Sequence, residues 1–168
     1  TVSVNAYYAD VRDFIDQRVT FIDFSTFDPM SNTVGGTTAT TNVDAKLWGA
    51  EAEIRYDAGA WFAGVAAMLP RGEGEDGDAL GSIPQDRATV TFGYRPAAAW
   101  EVGARATFAR EQDDVPDGTE PADSFTVVDL FASWSPETGP LAGAEFRAGV
   151  ENLFDADYRI YPNGLDEQ

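Results

Sequence analysis

Two runs, Arg87 to Arg95 and Trp100 to Phe108, alternate apolar and polar residues in one shared phase across a short turn. The even positions hold Ala88, Val90, Phe92, Tyr94, Trp100, Val102, Ala104, Ala106 and Phe108. The odd positions hold Arg87, Thr89, Thr91, Gly93, Arg95, Glu101, Gly103, Arg105 and Thr107. Successive side chains of a strand point to opposite faces, so the pattern predicts an antiparallel hairpin with one wholly apolar face and one charged face. Tyr94 and Trp100 flank the turn on the apolar face, where ring-bearing residues sit at a membrane interface.

The pattern recurs along the chain. Val2, Val4, Ala6 and Tyr8 share a face in a first run that continues to Ile15, with a change of phase near Ala9-Asp10 that reads as a bulge. Trp48 to Tyr56 sets Glu51, Glu53 and Arg55 opposite apolar even positions, whereas Trp61 to Leu69 is apolar on both faces and its orientation stays open. Thr126 to Trp134 and Phe146 to Glu151 follow. Long polar connections near residues 17–40, 70–85 and 111–123 alternate with short ones, and the first of them reads as a loop with some strand at its ends. Tyr56 with Trp61, Tyr94 with Trp100, and Trp134 with Phe146 flank the short connections. The fold class predicted is all-β: an antiparallel up-and-down transmembrane β-barrel, here a partial barrel of about seven strands. Seven strands do not close a barrel of even count, and the opening Thr1-Val2-Ser3-Val4 is already strand-like, so the chain reads as part of a larger protein.

Composition narrows the chemistry. The longest nearly apolar stretch, residues 58–70, falls short of the roughly 20 residues a helix needs to cross a bilayer. A net charge of −18 disfavours nucleic acid as a partner, because phosphate binding needs a basic surface. Much of that acidity lies in two connections, at Glu73, Glu75, Asp76 and Asp78 and at Glu111, Asp113, Asp114, Asp117 and Glu120, as expected of solvated loops. The chain has no cysteine and no histidine, which excludes disulfides, Ser-His catalysis, His-based zinc sites and His haem ligation within these residues. No catalytic residue, cofactor or metal site is assigned, and the chain is not expected to be an enzyme.

Asn152-Leu153-Phe154-Asp155, followed by Tyr158 and Tyr161, resembles the penultimate-strand signature of TonB-dependent outer-membrane receptors. Weaker pieces agree with it in order. Asp13-Phe14-Ile15 is similar to the family's entrance to an extracellular loop, and Asn42-Val43 through Gly49-Ala50-Glu51 to a later strand. Ile83-Pro84-Gln85-Asp86-Arg87 resembles the start of a descending strand, and Phe125-Thr126-Val127-Val128-Asp129 the family's Tyr-Thr-Val-x-Asp pattern. The resemblance covers essentially the whole chain. It implies that residues 1–168 are the C-terminal portion of such a receptor's barrel, with the plug domain, the TonB box and the final strand absent.

By that resemblance the parent protein sits in the cell outer membrane among its lipid. It meets the TonB complex through the missing plug and takes up an iron-bearing ligand: haem, haemoglobin-derived haem or a ferric siderophore. Asp13-Phe14-Ile15 and Tyr158-Arg159-Ile160-Tyr161 look most like haem or haemoglobin receptors. Phe24, Phe27, Met30, Tyr158 and Tyr161 are the ligand-facing loop candidates. Inward charges such as Arg55, Arg87, Arg95, Arg105, Asp129 and Arg147 are expected to pair with one another or with the plug. A passive porin or structural barrel shares the alternation but does not predict Asn-Leu-Phe-Asp. A soluble lipocalin-like binding barrel would exchange the roles of the two faces.

Overall fold

The computed structural model describes the backbone of residues 1–28, 33–75, 77–162 and 165–167, with side chains described at all of these except 17–28, 33–38 and 165–167. Seven strands form one antiparallel sheet in chain order: β1 (Val2–Asp28), β2 (Thr33–Asp57), β3 (Trp61–Gly74), β4 (Arg87–Ala97), β5 (Trp100–Ala109), β6 (Phe125–Trp134) and β7 (Phe146–Val150). A separate two-stranded ribbon, β8 (Tyr158–Ile160) with β9 (Leu165–Glu167), was not anticipated from the sequence. No helix occurs among the described residues.

Register fixes the faces. Ile54 pairs with Val65, Val65 with Val90, Val90 with Ala106, and Ala106 with Val128, so one continuous apolar row crosses five strands. Glu53, Ala66, Thr89, Thr107 and Val127 form the neighbouring row on the opposite face. This resolves the orientation of β3: Trp61, Ala63, Val65, Ala67 and Leu69 go with the apolar face, and Phe62, Gly64, Ala66 and Met68 with the other. The second face is concave. A hollow of about 850 Å3 lined by Arg55, Phe62, Thr91, Arg95 and Arg105 lies on it. The convex face leaves large apolar side chains in the open, among them Val4 at 75% exposure and Phe92 at 54%.

Rings gather at one end of the convex face. Trp100 stacks on Trp134 at 5.7 Å between centroids and Trp134 on Phe146 at 5.4 Å, while Trp61 meets Tyr56 at 5.1 Å and Phe92 at 6.2 Å. Two of the three connections at this end are tight: residues 58–60, with Gly59 at φ 80°, and residues 98–99. The third, 135–145, is a longer loop that turns at Gly139 and Gly143, both at positive φ, and so departs from the short turn expected.

The connection expected over 17–40 as a loop with some strand at its ends is strand at every described position, 17–28 and 33–40. Gln17 pairs with Thr40, Val19 with Thr38 and Ile22 with Gly36, carrying the β1–β2 hairpin far beyond the rest of the sheet. Its many threonines are β-branched and suit a pleated ladder, although the polar composition reads as a loop. The change of phase in β1 falls between Val11 and Phe14, not at Ala9-Asp10. Asp13 takes φ 55° there, and its N–H donates to Asp44 Oδ1 at 3.1 Å. Aspartate tolerates that left-handed backbone better than most residues.

Candidate functional site

The connections opposite the ring-bearing end are fused by a few side chains, one of them, Gln85, from a segment that carried the family resemblance. Gln85 is 1% exposed. Its Nε2 donates to the carbonyls of Arg110 and Asp123, each at 3.0 Å, and its Oε1 accepts from the N–H of Tyr161 at 3.2 Å. One amide thereby closes both ends of the 110–123 connection and anchors the segment that follows β7. Gln112 Nε2 donates to the Ile83 carbonyl at 3.0 Å and ties that connection to the 75–86 one. Asp16, fully buried, accepts at Oδ1 from the Gly81 N–H at 2.9 Å, which joins β1 to the same cluster around buried Leu80.

Asp86, the next residue after Gln85, faces the other way and makes a two-point ion pair with Arg71, whose Nη2 lies 2.8 Å from Asp86 Oδ2. The Arg71 guanidinium holds the Asp86 carboxyl below the ordinary carboxylate range, its hydrogen bond contributing most.

The Asn-Leu-Phe-Asp segment is a turn built on two left-handed residues, Asn152 at φ 48° and Asp155 at φ 52°. The Asn152 amide bonds the backbone of Ala156 in both directions, donating to its carbonyl and accepting from its N–H, each at 2.9 Å. A short amide offers a donor atom and a separate acceptor atom that reach both groups of Ala156 at once, and asparagine also tolerates the left-handed backbone, which is the physical reason for asparagine at this position. The Asn152 N–H in turn donates to Asp129 Oδ1 at 3.1 Å, so two of the resembling segments meet directly. Leu153 and Phe154 are left exposed, Phe154 at 73%.

The five loop candidates part company. Tyr158 is half-buried, its ring 4.6 Å from that of Phe125. Tyr161 is 6% exposed and so does not face solvent as a loop residue would. Burial, with the Asp16 charge nearby, pushes its phenol above the ordinary value, and its Oη has no hydrogen-bond partner among the described residues. Phe24 and Phe27 lie on the extended arm of β1 with side chains outside the described set, and Met30 lies outside the described residues altogether. Sequence reasoning gave Gln85, Asp16 and Asn152 no ligand or anchoring role. Only the Ile-Pro-x-x-Arg and Asn-Leu-Phe-Asp segments marked two of them.

On the concave face, charges pair locally. Arg55 meets Glu53 at 2.5 Å along β2, and Arg147 of β7 meets Glu145, the last residue of the preceding loop, at 2.8 Å. Arg95 bridges strands: Nη1 reaches both oxygens of Asp57 at 3.0 Å and the Gly59 carbonyl at 2.9 Å, Nε reaches Glu101 at 3.0 Å, and its guanidinium lies 4.6 Å from the Phe62 ring centroid. Among the described residues no group of three or more Asp or Glu side chains is placed to hold a metal ion.

A family model described as TonB dependent receptor-like, beta-barrel matches residues 1–153. The chain belongs to that family. No curated protein sequence matches this TonB-dependent receptor-like barrel chain. Among solved structures it is similar to one named copper transporter OprC, at 24% sequence identity and a TM-score of 0.75. The match covers 95% of this chain and 24% of that one, so the present residues span about a quarter of the structure they resemble. At that identity the likeness shows the fold. For a receptor-like barrel of this family, the concave face is the lumen and the convex, ring-bordered face the one that meets lipid.

Proposed function

We propose that these residues form wall and outer rim of a TonB-dependent outer-membrane transporter that takes up an iron-bearing nutrient, either haem or a ferric siderophore. The observation that carries this reading is the family match over residues 1–153, together with the apolar convex face it requires. The wall performs no chemistry in this reading. Its lumen face supplies paired charges, and the fused rim holds the outer connections in fixed relation around the entrance.

The oxygen donors on this chain are compatible with an iron-bearing cargo. Carboxylates and phenols are hard oxygen ligands suited to ferric iron and its chelates, and tyrosine also ligates haem iron. Copper(I) selects thiolate and thioether ligands, and the chain offers no cysteine, no histidine and two methionines. The name of the structural neighbour favours copper as the second reading.

Growth of a strain lacking the intact receptor, on haem, on ferric siderophore and under copper limitation, tests the cargo. The expected result is a defect on one iron source, restored by the full-length gene. Equal growth on every iron source would sink the iron reading, and a defect confined to copper limitation would transfer the cargo to copper.

A further inference from the structure

One row of the lumen face departs from its neighbours. Phe62, Gly93, Gly103, Phe131 and Gly149 stand in register across five strands. The rows on either side are polar: Arg95, Glu101, Ser133 and Arg147 toward the short turns, and Thr91, Arg105 and Asp129 toward the rim. A Cβ built on Gly93 meets three atoms of the Phe62 ring as its nearest neighbours, all too close for a real contact. A Cβ on Gly103 likewise meets the Phe131 ring, but also the Phe92 carbonyl oxygen at 2.5 Å. Each phenylalanine therefore occupies the space of its partner's missing side chain. It lies down on the wall, whereas strand side chains ordinarily stand roughly perpendicular to the sheet.

Glycine inside a strand weakens it, through chain entropy and lost packing. A ring over a glycine recovers part of that loss, but alanine at position 93 with a smaller residue at 62 would suit the ladder better. What the Phe–Gly pairing achieves beyond this is a flush lumen wall. The Arg95 guanidinium also packs over the face of the Phe62 ring, 4.6 Å from the centroid.

We infer that Gly93 is a positioning residue for transport, keeping the Phe62 ring flat so that it stays out of the path through the lumen. The inference rests on the transport reading above. Gly93 is the informative position because its Cβ would displace a side chain, while at Gly103 the backbone of β4 would also have to move.

The test uses the full-length receptor in a receptor-deficient strain, with Gly93→Ala, Phe62→Ala and the double variant. Initial uptake rate is measured on whichever iron source supports growth, divided by the amount of folded receptor in the membrane. Gly93→Ala should lower the maximal rate several-fold with little change in half-saturation. Phe62→Ala should stay near wild type, and the double variant should return to it, because no ring remains to be displaced. Phe62→Ala as slow as Gly93→Ala, or a double variant that is not rescued, would mean the pair is only a structural joint and overturns the inference. If Gly93→Ala does not reach the membrane, Phe62→Trp serves instead: its larger ring overhangs the seat and should slow uptake, and an unchanged rate overturns the inference. If the wild-type receptor takes up no iron source, the iron reading fails and the same variants are measured on copper uptake; uptake of neither metal sinks the transport reading. A crystal structure of Gly93→Ala then still decides the geometry, a ring lying flat in place overturning it.

Discussion

At the short-turn end Arg95 fastens two hairpins from an open position, its side chain 34% exposed and that of Asp57 58%. At the rim, Gln85 fastens three segments from 1% exposure. The first fastening uses full charges in water, where each ion pair is worth little and the stacked rings beside it contribute most of the cohesion. The second uses one neutral amide out of water, where an unmet donor or acceptor is costly. Charge count is therefore a poor guide to which end is more firmly held. A barrel wall of this kind has lipid along its middle, so its turn end is ordered by rings at an interface, and its rim has to order itself.

The comparison presupposes a bilayer between the two ends, and breaking that presupposition has the largest expected effect. Val90 lies near the middle of the β3–β4 ladder on the convex face and Thr91, its neighbour, on the lumen face. Val90→Arg should cost roughly 2–4 kcal/mol at the bilayer midplane. Thr91→Arg adds the same charge to a wetted wall opposite Arg105, where like-charge repulsion should cost up to about 1 kcal/mol, well below Val90→Arg. Folded yield in lipid vesicles, read by denaturant titration, checks both. Equal tolerance of the two would reverse or abolish the assignment of faces, and the lipocalin-like alternative would return.

Next in size is Gln85→Leu, which keeps the volume and removes the amide. The carbonyls of Arg110 and Asp123 and the N–H of Tyr161 then lose their common partner, at a cost of about 2–3 kcal/mol shared between burial and water entry. The cost should appear as local opening, with protease nicking the 110–123 connection many times faster while the strands remain folded in the membrane. If nicking is unchanged, the rim is held by its other ties, among them Arg159 to Glu120 at 2.9 Å and Gln112 to the Ile83 carbonyl.

The two ends also differ in how far the sequence revealed them. Strands β4, β5 and β6 and their flanking rings follow from a period of two, because one face meets an apolar medium and the other does not. β3 hid its orientation because Phe62 faces the lumen yet lies flat over Gly93, so a polar face carries an apolar residue. The 17–40 arm was hidden by threonine, which serves loops and ladders alike. At the rim no periodicity exists to read. Gln85 is a lone amide in a polar connection, and its burial depends on three segments far apart in sequence. Asn152 was visible as part of a motif, and its φ of 48° and the two-way bond to Ala156 supply the reason for it. Tyr161 was placed on a loop by the same motif, and the fold turns it inward against Gln85.

The smallest expected effect belongs to the open fastening. Arg95→Ala should move the denaturant midpoint less than Gln85→Leu moves rim protection, since solvent replaces each of its bonds. Its acid response is more telling. The Asp57 carboxyl titrates below its ordinary value of 3.8, mainly because the Gly59 N–H bonds it at 2.8 Å and secondarily because of Arg95. A depressed carboxylate adds stability that is fully present above its unfolded value and is lost as pH falls through the folded one, so at neutral pH the turn keeps all of it. Because the Gly59 N–H is the largest single cause, Arg95→Ala should retain part of the acid-induced loosening of the 57–61 turn below pH 3.8, whereas Asp57→Asn should abolish it. Hydrogen exchange at Gly59 between pH 2.5 and 5 would read this out, after correction for intrinsic exchange. If Arg95→Ala flattens the pH profile as completely as Asp57→Asn, then charge rather than the turn's own backbone holds this end, and the contrast with the rim is one of exposure alone.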